Sequence, residues 1–226
     1  MRTIFFTVFS SAAFIIALAL SANALTQRDL GVPVGSPSQG PPDGWKVKQW
    51  KGKADFKVVS AEFGPAIHLK SSGTSSALYR ELKFDLKEYP YLSWRWKVTS
   101  LPKGADVRRE TIDDQAAQVY VVFPRWPKSV NSRLLGYIWE STAPAGLHIR
   151  STKSDNTRYI VLKSGTAEAG KWVLETRNVY EDYRRLFNDE PPSVGSLSIM
   201  IDSDDTKSSA ESFIGDIRFS KDPPSK

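Results

Sequence analysis

Apolar and polar residues alternate along much of this chain, which is the pattern that half-buried β-strands produce. The clearest case is the segment 91–98. Its even-numbered positions are apolar and predict a buried face: Leu92, Trp94, Trp96 and Val98. Its odd-numbered positions are polar and predict an open face: Tyr91, Ser93, Arg95 and Lys97. We expect this strand to lie in a sheet that packs on one side and meets solvent on the other.

Similar runs predict further strands, which are separated by turn-forming residues. They cover residues 55–60, 66–70, 77–84, 116–123, 133–141, 158–163, 172–178, 197–202 and 213–219. Only the segment 179–187 has helical spacing, and Asn178 is its predicted N-cap. Many short strands and one short helix predict an all-β fold, namely a jelly-roll-like antiparallel β-sandwich.

The N-terminal segment 1–24 has the features of a secretory signal peptide. Arg2 precedes an almost entirely apolar run, and Ala22 and Ala24 supply the small residues of a cleavage site. An uncleaved membrane anchor is the competing interpretation, but no basic stop follows the run. We therefore expect a periplasmic or secreted protein without a membrane span after cleavage. Residues 25–44, rich in Pro, Gly and Ser, predict an extended lead-in to a single domain over 45–226.

Composition narrows the classes of function. The chain has no cysteine, which excludes disulfides, a lipoprotein anchor and a cysteine nucleophile. The formal net charge is +6, and the basic residues are interleaved with acidic ones, so we expect no nucleic-acid partner. Neither a phosphate-binding glycine loop nor a Gly-x-Ser-x-Gly elbow occurs, so we expect no nucleotide cofactor and find no serine-hydrolase signature.

Several polar or aromatic residues on the predicted strands are candidates for ligand binding. Arginine and amide side chains can bond to hydroxyl or carboxylate groups, and aromatic rings can stack on sugar rings. The candidates are Tyr91, Arg95, Gln118, Tyr120, Trp139 and Arg177. The acidic loop 113–115 would form a rim beside Gln118 and Tyr120. The competing interpretation is that the polar face of each strand is simply solvated.

Two sets of carboxylates suggest other chemistry, one clustered in the sequence and one far apart in it. Asp202, Asp204 and Asp205 follow an apolar strand and offer the oxygen ligands that Ca²⁺ takes, so a structural calcium is one expectation. An ordinary acidic turn is the other. Glu140 and Glu175 lie on predicted strands and would be the acid and base of a glycosidase if they flanked one bond. Nothing in the sequence places these two glutamates together.

Five segments resemble an uncharacterised bacterial exported family, domain of unknown function 3047. They read LSWRWKV (92–98), DDQAAQVYVVF (113–123), LGYIWES (135–141), RNVYEDYRRLF (177–187) and IMIDSDDT (199–206). The resemblance spans most of the chain after the signal peptide. It implies a jelly-roll architecture similar to galactose-binding-like and carbohydrate-binding modules, but it implies no catalytic residue.

The leading hypothesis from the sequence is an exported, non-catalytic β-sandwich module that binds a carbohydrate or another polar polymer of the cell envelope. If Arg95 and Arg177 share one groove, an acidic polysaccharide is the expected ligand, because a guanidinium matches a carboxylate. A polysaccharide hydrolase or lyase is one alternative. A structural envelope protein with a protein partner is the other.

Overall fold

The computed structural model describes residues 29–224, so the predicted signal peptide lies outside the described residues. It contains thirteen strands. They are β1 (Asp29–Gly31), β2 (Lys46–Lys51), β3 (Asp55–Ala61), β4 (Gly64–Ser72), β5 (Ser75–Phe84), β6 (Tyr91–Ser100), β7 (Ala117–Phe123), β8 (Arg133–Glu140), β9 (His148–Arg150), β10 (Thr157–Ser164), β11 (Val173–Asn178), β12 (Val194–Asp202) and β13 (Ser209–Ser220). The helices are a 3₁₀ turn (Glu110–Ile112), α1 (Lys128–Asn131) and α2 (Val179–Phe187).

The strands form two sheets, which confirms the predicted all-β sandwich. Sheet A has the order β11-β6-β13-β4-β3, and β1 pairs with the end of β13. Sheet B has the order β2-β5-β12-β7-β8-β10-β9. The strand 91–98 predicted from alternation forms all but the last two residues of β6, which lies between β11 and β13 in sheet A.

One pair of strands differs from the antiparallel arrangement that the sequence predicts. Strands β8 and β10 are parallel, with Thr157 beside Leu134 and Ile160 beside Tyr137. The connection 141–156 carries the chain back along the sheet, so β10 starts next to the beginning of β8. The backbone N–H of Leu134 donates to the carbonyl of Asn156 (2.9 Å), which fixes this starting point.

Large aromatic side chains join the two sheets. Trp94 and Trp96 of sheet A are fully buried, as the alternation predicts. Their rings pack edge to face, with centroids 5.4 Å apart. Trp94 also contacts Tyr137 (5.3 Å) and Trp96 contacts Trp139 (5.7 Å), both from β8 of sheet B. Aromatic pairs at this spacing add to the stabilisation from burial, so this cluster is the centre of the core.

Helix α2 has the bounds predicted from the sequence and closes one end of the sandwich. The side chain of Asn178 accepts a hydrogen bond from the backbone N–H of Glu181 (3.0 Å), which is the N-cap interaction. Tyr183 is buried against Phe123, with ring centroids 4.6 Å apart. The four-residue helix α1 was not predicted.

The described part of the lead-in, from Asp29 on, contributes to the folded domain. β1 pairs with β13, with Asp29 opposite Ser220. Val32 and Val34 are buried in the core. The indole N–H of Trp45 donates to the carbonyl of Pro33 (2.9 Å) and ties the lead-in to the start of sheet B. Within residues 29–224, no helix has the length and apolar character needed to cross a bilayer.

Candidate functional site

A long groove crosses the outer face of sheet B, the face that points away from the core. Two adjoining depressions of about 500 and 660 Å³ form it. They share four lining residues, Trp50, Leu134, Ser154 and Ser198, and are therefore parts of one continuous surface. Its floor is supplied by six neighbouring strands of sheet B: β2, β5, β12, β7, β8 and β10. The loops 101–116 and 141–156 cover the rest of this face, where Val107 and Ala143 pack on Ile138.

Aromatic rings line the groove along its length. Trp50 is 54% exposed on the edge strand β2. Tyr79 follows on β5, and Tyr120 and Tyr159 lie deeper, on β7 and β10. The rings of Tyr120 and Tyr159 are 6.1 Å apart at an angle of 60°. Trp50 and the partly exposed Tyr79 offer apolar platforms at the edge of the groove, whereas Tyr120 and Tyr159 are almost fully buried and form its floor.

Gly136 makes the close approach of the two tyrosines possible. It lies on β8 directly between them, opposite Tyr120 on one side and Tyr159 on the other. A Cβ at this position would lie 2.8 Å from a carbon of each ring. The missing side chain therefore lets both rings lie low over the sheet, and this creates the depth of the groove.

Hydrogen bonds fix the polar floor of the groove. Gln118 donates through its amide to Oδ1 of Asp202 (2.9 Å), and the Tyr120 hydroxyl donates to Oε1 of Gln118. The backbone N–H of Gln115 donates to the same Asp202 oxygen (2.6 Å). The side-chain amide of Gln115 donates to Oδ1 of Asp113 (2.7 Å). Because each group orients the next, these polar atoms are presented in defined positions.

The charges around the groove balance one another. Burial raises the pKa of Asp113 to about 6, and burial also raises the pKa of Asp202. Lys153 lies against the carboxylate of Asp205 and the carbonyl of Asp113. Three lysines and three aspartates line the two depressions: Lys48, Lys51, Lys153, Asp113, Asp202 and Asp204. The groove therefore has no formal excess of either sign.

A carboxylate cluster lies at one end of the groove. Oxygen atoms of Asp114, Asp202 and Asp204 all lie within 4.8 Å of one another, an arrangement that could hold a metal ion. Asp114 also accepts hydrogen bonds from the backbone N–H of Asp205 and from Thr206. Of the predicted ligands, Asp202 and Asp204 belong to this cluster, whereas the carboxylate of Asp205 is paired with Lys153 and Asp114 is the third member.

The structure places only two of the six predicted ligand residues in the groove. Gln118 and Tyr120 line it. Trp139 was predicted as a platform, but this is wrong: its side chain is buried in the core and its indole N–H donates to the carbonyl of Gly165 (3.1 Å). Tyr91 and Arg95 belong to the outer face of sheet A, on the far side of the sandwich.

The predicted arginine pair does not form a shared site. Arg95 and Arg177 lie on neighbouring strands, but Arg177 pairs with inward-facing Leu92, so the two arginines project from opposite faces of sheet A. Arg177 is bound by Asp182 in a two-pronged ion pair (2.7 and 2.9 Å). Arg95 is bound to Asp216 (3.3 Å). The expectation of one arginine-lined anionic groove was therefore wrong.

The two predicted catalytic glutamates are also separated. Glu140 lies on the outer side of sheet B, where it accepts hydrogen bonds from the backbone N–H groups of Val107 (3.2 Å) and Ser141 (2.7 Å). Burial raises its pKa to about 7. Glu175 projects from the inward face of sheet A near Lys163 (3.9 Å). Sheet B therefore lies between them, and they cannot flank one glycosidic bond.

Sequence reasoning missed three aromatic residues of the groove: Trp50, Tyr79 and Tyr159. Trp50 carried a usable signal, because it is a single large aromatic in the polar strand Lys46–Lys51 and has no apolar stripe to join. Tyr79 and Tyr159 lie in strands that also contribute to the core. Their position in the groove depends on strand order, which local alternation does not encode.

Comparisons with known proteins agree with this architecture. The family model "Protein of unknown function (DUF3047)" matches residues 43–218, so the chain belongs to this family. A search of curated proteins finds no match to the sequence.

Solved structures with the same fold include carbohydrate-binding modules. One is the family 30 carbohydrate-binding module of a cellulosomal cellulase of Clostridium thermocellum, with a TM-score of 0.50 and 12% identity over 86% of this chain and 98% of that one. Another is the family 11 module from the same organism in complex with a β-1,3-1,4-mixed-linked tetrasaccharide, with a TM-score of 0.47 and 10% identity over 85% and 95%. At 12% identity, the likeness to the family 30 module shows the fold alone.

Proposed function

We propose that this DUF3047 protein is an exported, non-catalytic module that binds a polysaccharide in the groove on the outer face of sheet B. The observation that carries the proposal is the combination of a continuous groove with aromatic platforms and oriented polar groups. Sugar rings place C–H faces on aromatic rings, while their hydroxyls exchange hydrogen bonds with hydroxyl and amide side chains. Solved modules of similar fold are named for carbohydrate binding, which supports the same class of ligand.

The composition of the groove favours a neutral polymer. Hydroxyl and amide groups predominate among its polar residues: Ser75, Ser132, Ser151, Ser154, Thr157, Ser196, Ser198, Gln115, Gln118 and Asn156. Two of its three lysines are already paired with carboxylates, Lys51 with Asp204 (3.6 Å) and Lys153 with Asp205, so an anionic chain would gain little attraction there. The ligand of this groove is therefore a neutral glycan in the proposal, in place of the acidic one expected from the sequence.

The absence of catalysis is part of the proposal. The two buried carboxylates of the groove, Asp113 and Asp202, both serve the loop around Gln115 as hydrogen-bond acceptors. Such bonds give them a positioning role. A hydrolase or lyase would release reducing ends or unsaturated products from glucans or uronans, and the proposal expects neither from the purified protein.

Export is the second part of the proposal. It is supported by the signal-peptide features of residues 1–24, the apolar run and the Ala22-Asn23-Ala24 site. Cell fractionation tests it. The wild-type chain should be recovered from the periplasm or medium in its processed form, and replacing Ala24 by a bulky residue should leave the precursor uncut.

Isothermal titration calorimetry of residues 25–226 with neutral glucan oligomers tests the binding site. Trp50→Ala should weaken binding at least tenfold, because the exposed ring at the groove edge is removed. Trp126→Ala is the matched control, since Trp126 is 88% exposed and lines neither depression. Equal losses in both variants, or no binding to any glycan, would contradict the groove as a sugar site. Pull-down of one envelope protein that depends on Trp50 would instead support the structural alternative.

A calcium ion at the carboxylate cluster would have a structural role in this proposal. Asp114, Asp202 and Asp204 come from two loops and the end of β12, so a bound ion would tie these segments together. Binding to the folded state alone raises the melting temperature. The test is the melting temperature in EDTA and in millimolar Ca²⁺, with Asp204→Asn as the variant. Identical melting in both buffers would remove calcium from the proposal.

A further inference from the structure

A row of aromatic and basic side chains crosses the outer face of sheet A, on the opposite side of the molecule from the groove. It consists of Trp172, Lys97, Phe213, His68 and Lys57, one residue from or beside each of the five strands. At a strand spacing of about 4.8 Å, the row is about 19 Å long. We call it the sheet A row. The polar face of β6, which the proposed function leaves unused, supplies Lys97.

The second residue of the row, Lys97, is a lysine that no carboxylate neutralises. The ammonium of Lys97 lies 4.4 Å from the ring centroid of Phe213 and 5.0 Å from that of Trp172. No carboxylate in residues 29–224 lies within 4.0 Å of its nitrogen, in contrast to Arg95, which Asp216 binds. Ring faces stabilise the cation but leave its charge available to an incoming anion.

The surroundings of Lys97 are organised by other contacts. The His68 ring stacks on Phe213, with centroids 4.4 Å apart, and its Nε2 lies 2.9 Å from Glu211. Phe63, from the β3–β4 turn, packs edge-on against Trp172 (4.7 Å). The row is therefore a surface of partly buried rings, in which the planes of Trp172 and Phe213 meet at 67° and the Phe213 ring lies between His68 and Lys97. At its far end, the exposed Lys57 has no ion-pair partner among the described carboxylates.

We propose that the sheet A row is a second binding surface, and that it takes a polysaccharide chain bearing carboxylate groups. Its partly buried rings offer apolar contacts to the C–H groups of a sugar chain, and its unpaired charges are basic. Lys97 and Lys57 lie three strands apart, about 14 Å, so they would bind carboxylates on different residues of one extended chain. The proposal is independent of the groove and does not require the neutral ligand proposed there.

A membrane surface fits the row less well. Lipid-binding segments present clusters of 4–8 exposed basic residues. The sheet A row has two unpaired lysines, and the ammonium of one is held between rings. An acidic protein would use the charges but would make less use of the apolar ring surface between them. The extended, ring-bearing polyanion therefore matches more of the surface than either alternative.

The test is calorimetry with an oligouronate, using the full mature chain and two lysine variants. Lys97→Gln should weaken oligouronate binding about tenfold, the effect of losing one charge-assisted contact. Lys57→Gln, at an exposed position where misfolding is not expected, should weaken it severalfold. The matched control is Lys46→Gln, an exposed lysine on β2 that is paired with Glu81. Binding should fall with added salt, because exposed charge interactions are screened.

Each other outcome overturns the proposal. Oligouronate binding that is lost in Trp50→Ala and kept in Lys97→Gln would assign the ligand to the groove. Equal affinity for poly-glutamate would show that charge alone is recognised and that rings play no part. Binding to anionic phospholipid vesicles in place of the oligouronate would assign the face to a membrane. No binding to the oligouronate at low salt would leave the row without this ligand, whatever the result for neutral glucans.

Discussion

Replacing Gly136 by Ala tests whether the groove depends on the packing of Tyr120 and Tyr159. The new Cβ would lie 2.8 Å from each ring, whereas ordinary contacts begin at 3.4 Å, so each ring must withdraw by about 0.6 Å. Overpacking of this kind costs about 1–3 kcal/mol, and the lower chain entropy of alanine offsets about 0.4–1 kcal/mol. We therefore expect a net loss of about 1–2 kcal/mol.

Thermal unfolding followed by circular dichroism measures this loss. For a domain of this size, it corresponds to a melting temperature lower by about 2–8 °C. Glucan affinity should fall by more than the small change in stability accounts for, because the displaced Tyr120 no longer meets Gln118. Gly40→Ala is the control, since a Cβ there meets nothing within 4 Å. If Gly136→Ala melts and binds like the wild type, the two rings do not close over this glycine and the account of the groove depth is wrong.

Three further predictions concern stability. Trp96→Ala should cost about 3–5 kcal/mol by urea denaturation, as large truncations in a core do, and an unchanged midpoint would contradict the aromatic core. Asp182→Ala leaves half-buried Arg177 and the buried Tyr137 hydroxyl without their acceptor, and should cost about 2–3 kcal/mol in the same assay. Burial raises the pKa of Glu140 to about 7, above the value of about 4.3 in the unfolded chain. The contribution of Glu140 to the free energy of unfolding is therefore complete below about pH 4.3 and is lost as the pH rises through 7. Glu140→Gln should therefore flatten the dependence of unfolding free energy on pH over this range, and parallel curves for the two proteins would refute this assignment.

Local pattern predicted ten of the thirteen strands and helix α2, but not the strands β1, β2 and β9 or the helix α1. The alternation of 92–98 identified Trp94 and Trp96 as core residues, because a strand with one buried face must repeat every second residue. The bounds of α2 followed from the cap at Asn178 and from helical spacing. The parallel course of β10 could not be predicted, because it depends on the path of the 141–156 connection and not on the residues of the strand.

The candidate site was predicted in part, and for a physical reason. Gln118 and Tyr120 belong to one strand with one open face, so alternation alone was enough to place them together. Whether Arg95 and Arg177 share a groove depends on the register between β6 and β11, which the sequence does not give. The observed register places the two side chains on opposite faces of sheet A. Trp139 was misassigned because an aromatic residue on a strand has the same local pattern in a core as on a platform.

The pairing of β1 with β13 has a consequence for the response of the domain to mechanical load. Asp29 and Ser220 are directly opposite one another, so both ends of the described chain leave the sandwich at the same corner. Tension applied through these ends would open the antiparallel ladder one hydrogen bond after another, as in unzipping, and would not shear several bonds at once. We expect the short β1 to detach at low force and expose Val32 and Val34, while the groove on sheet B remains folded.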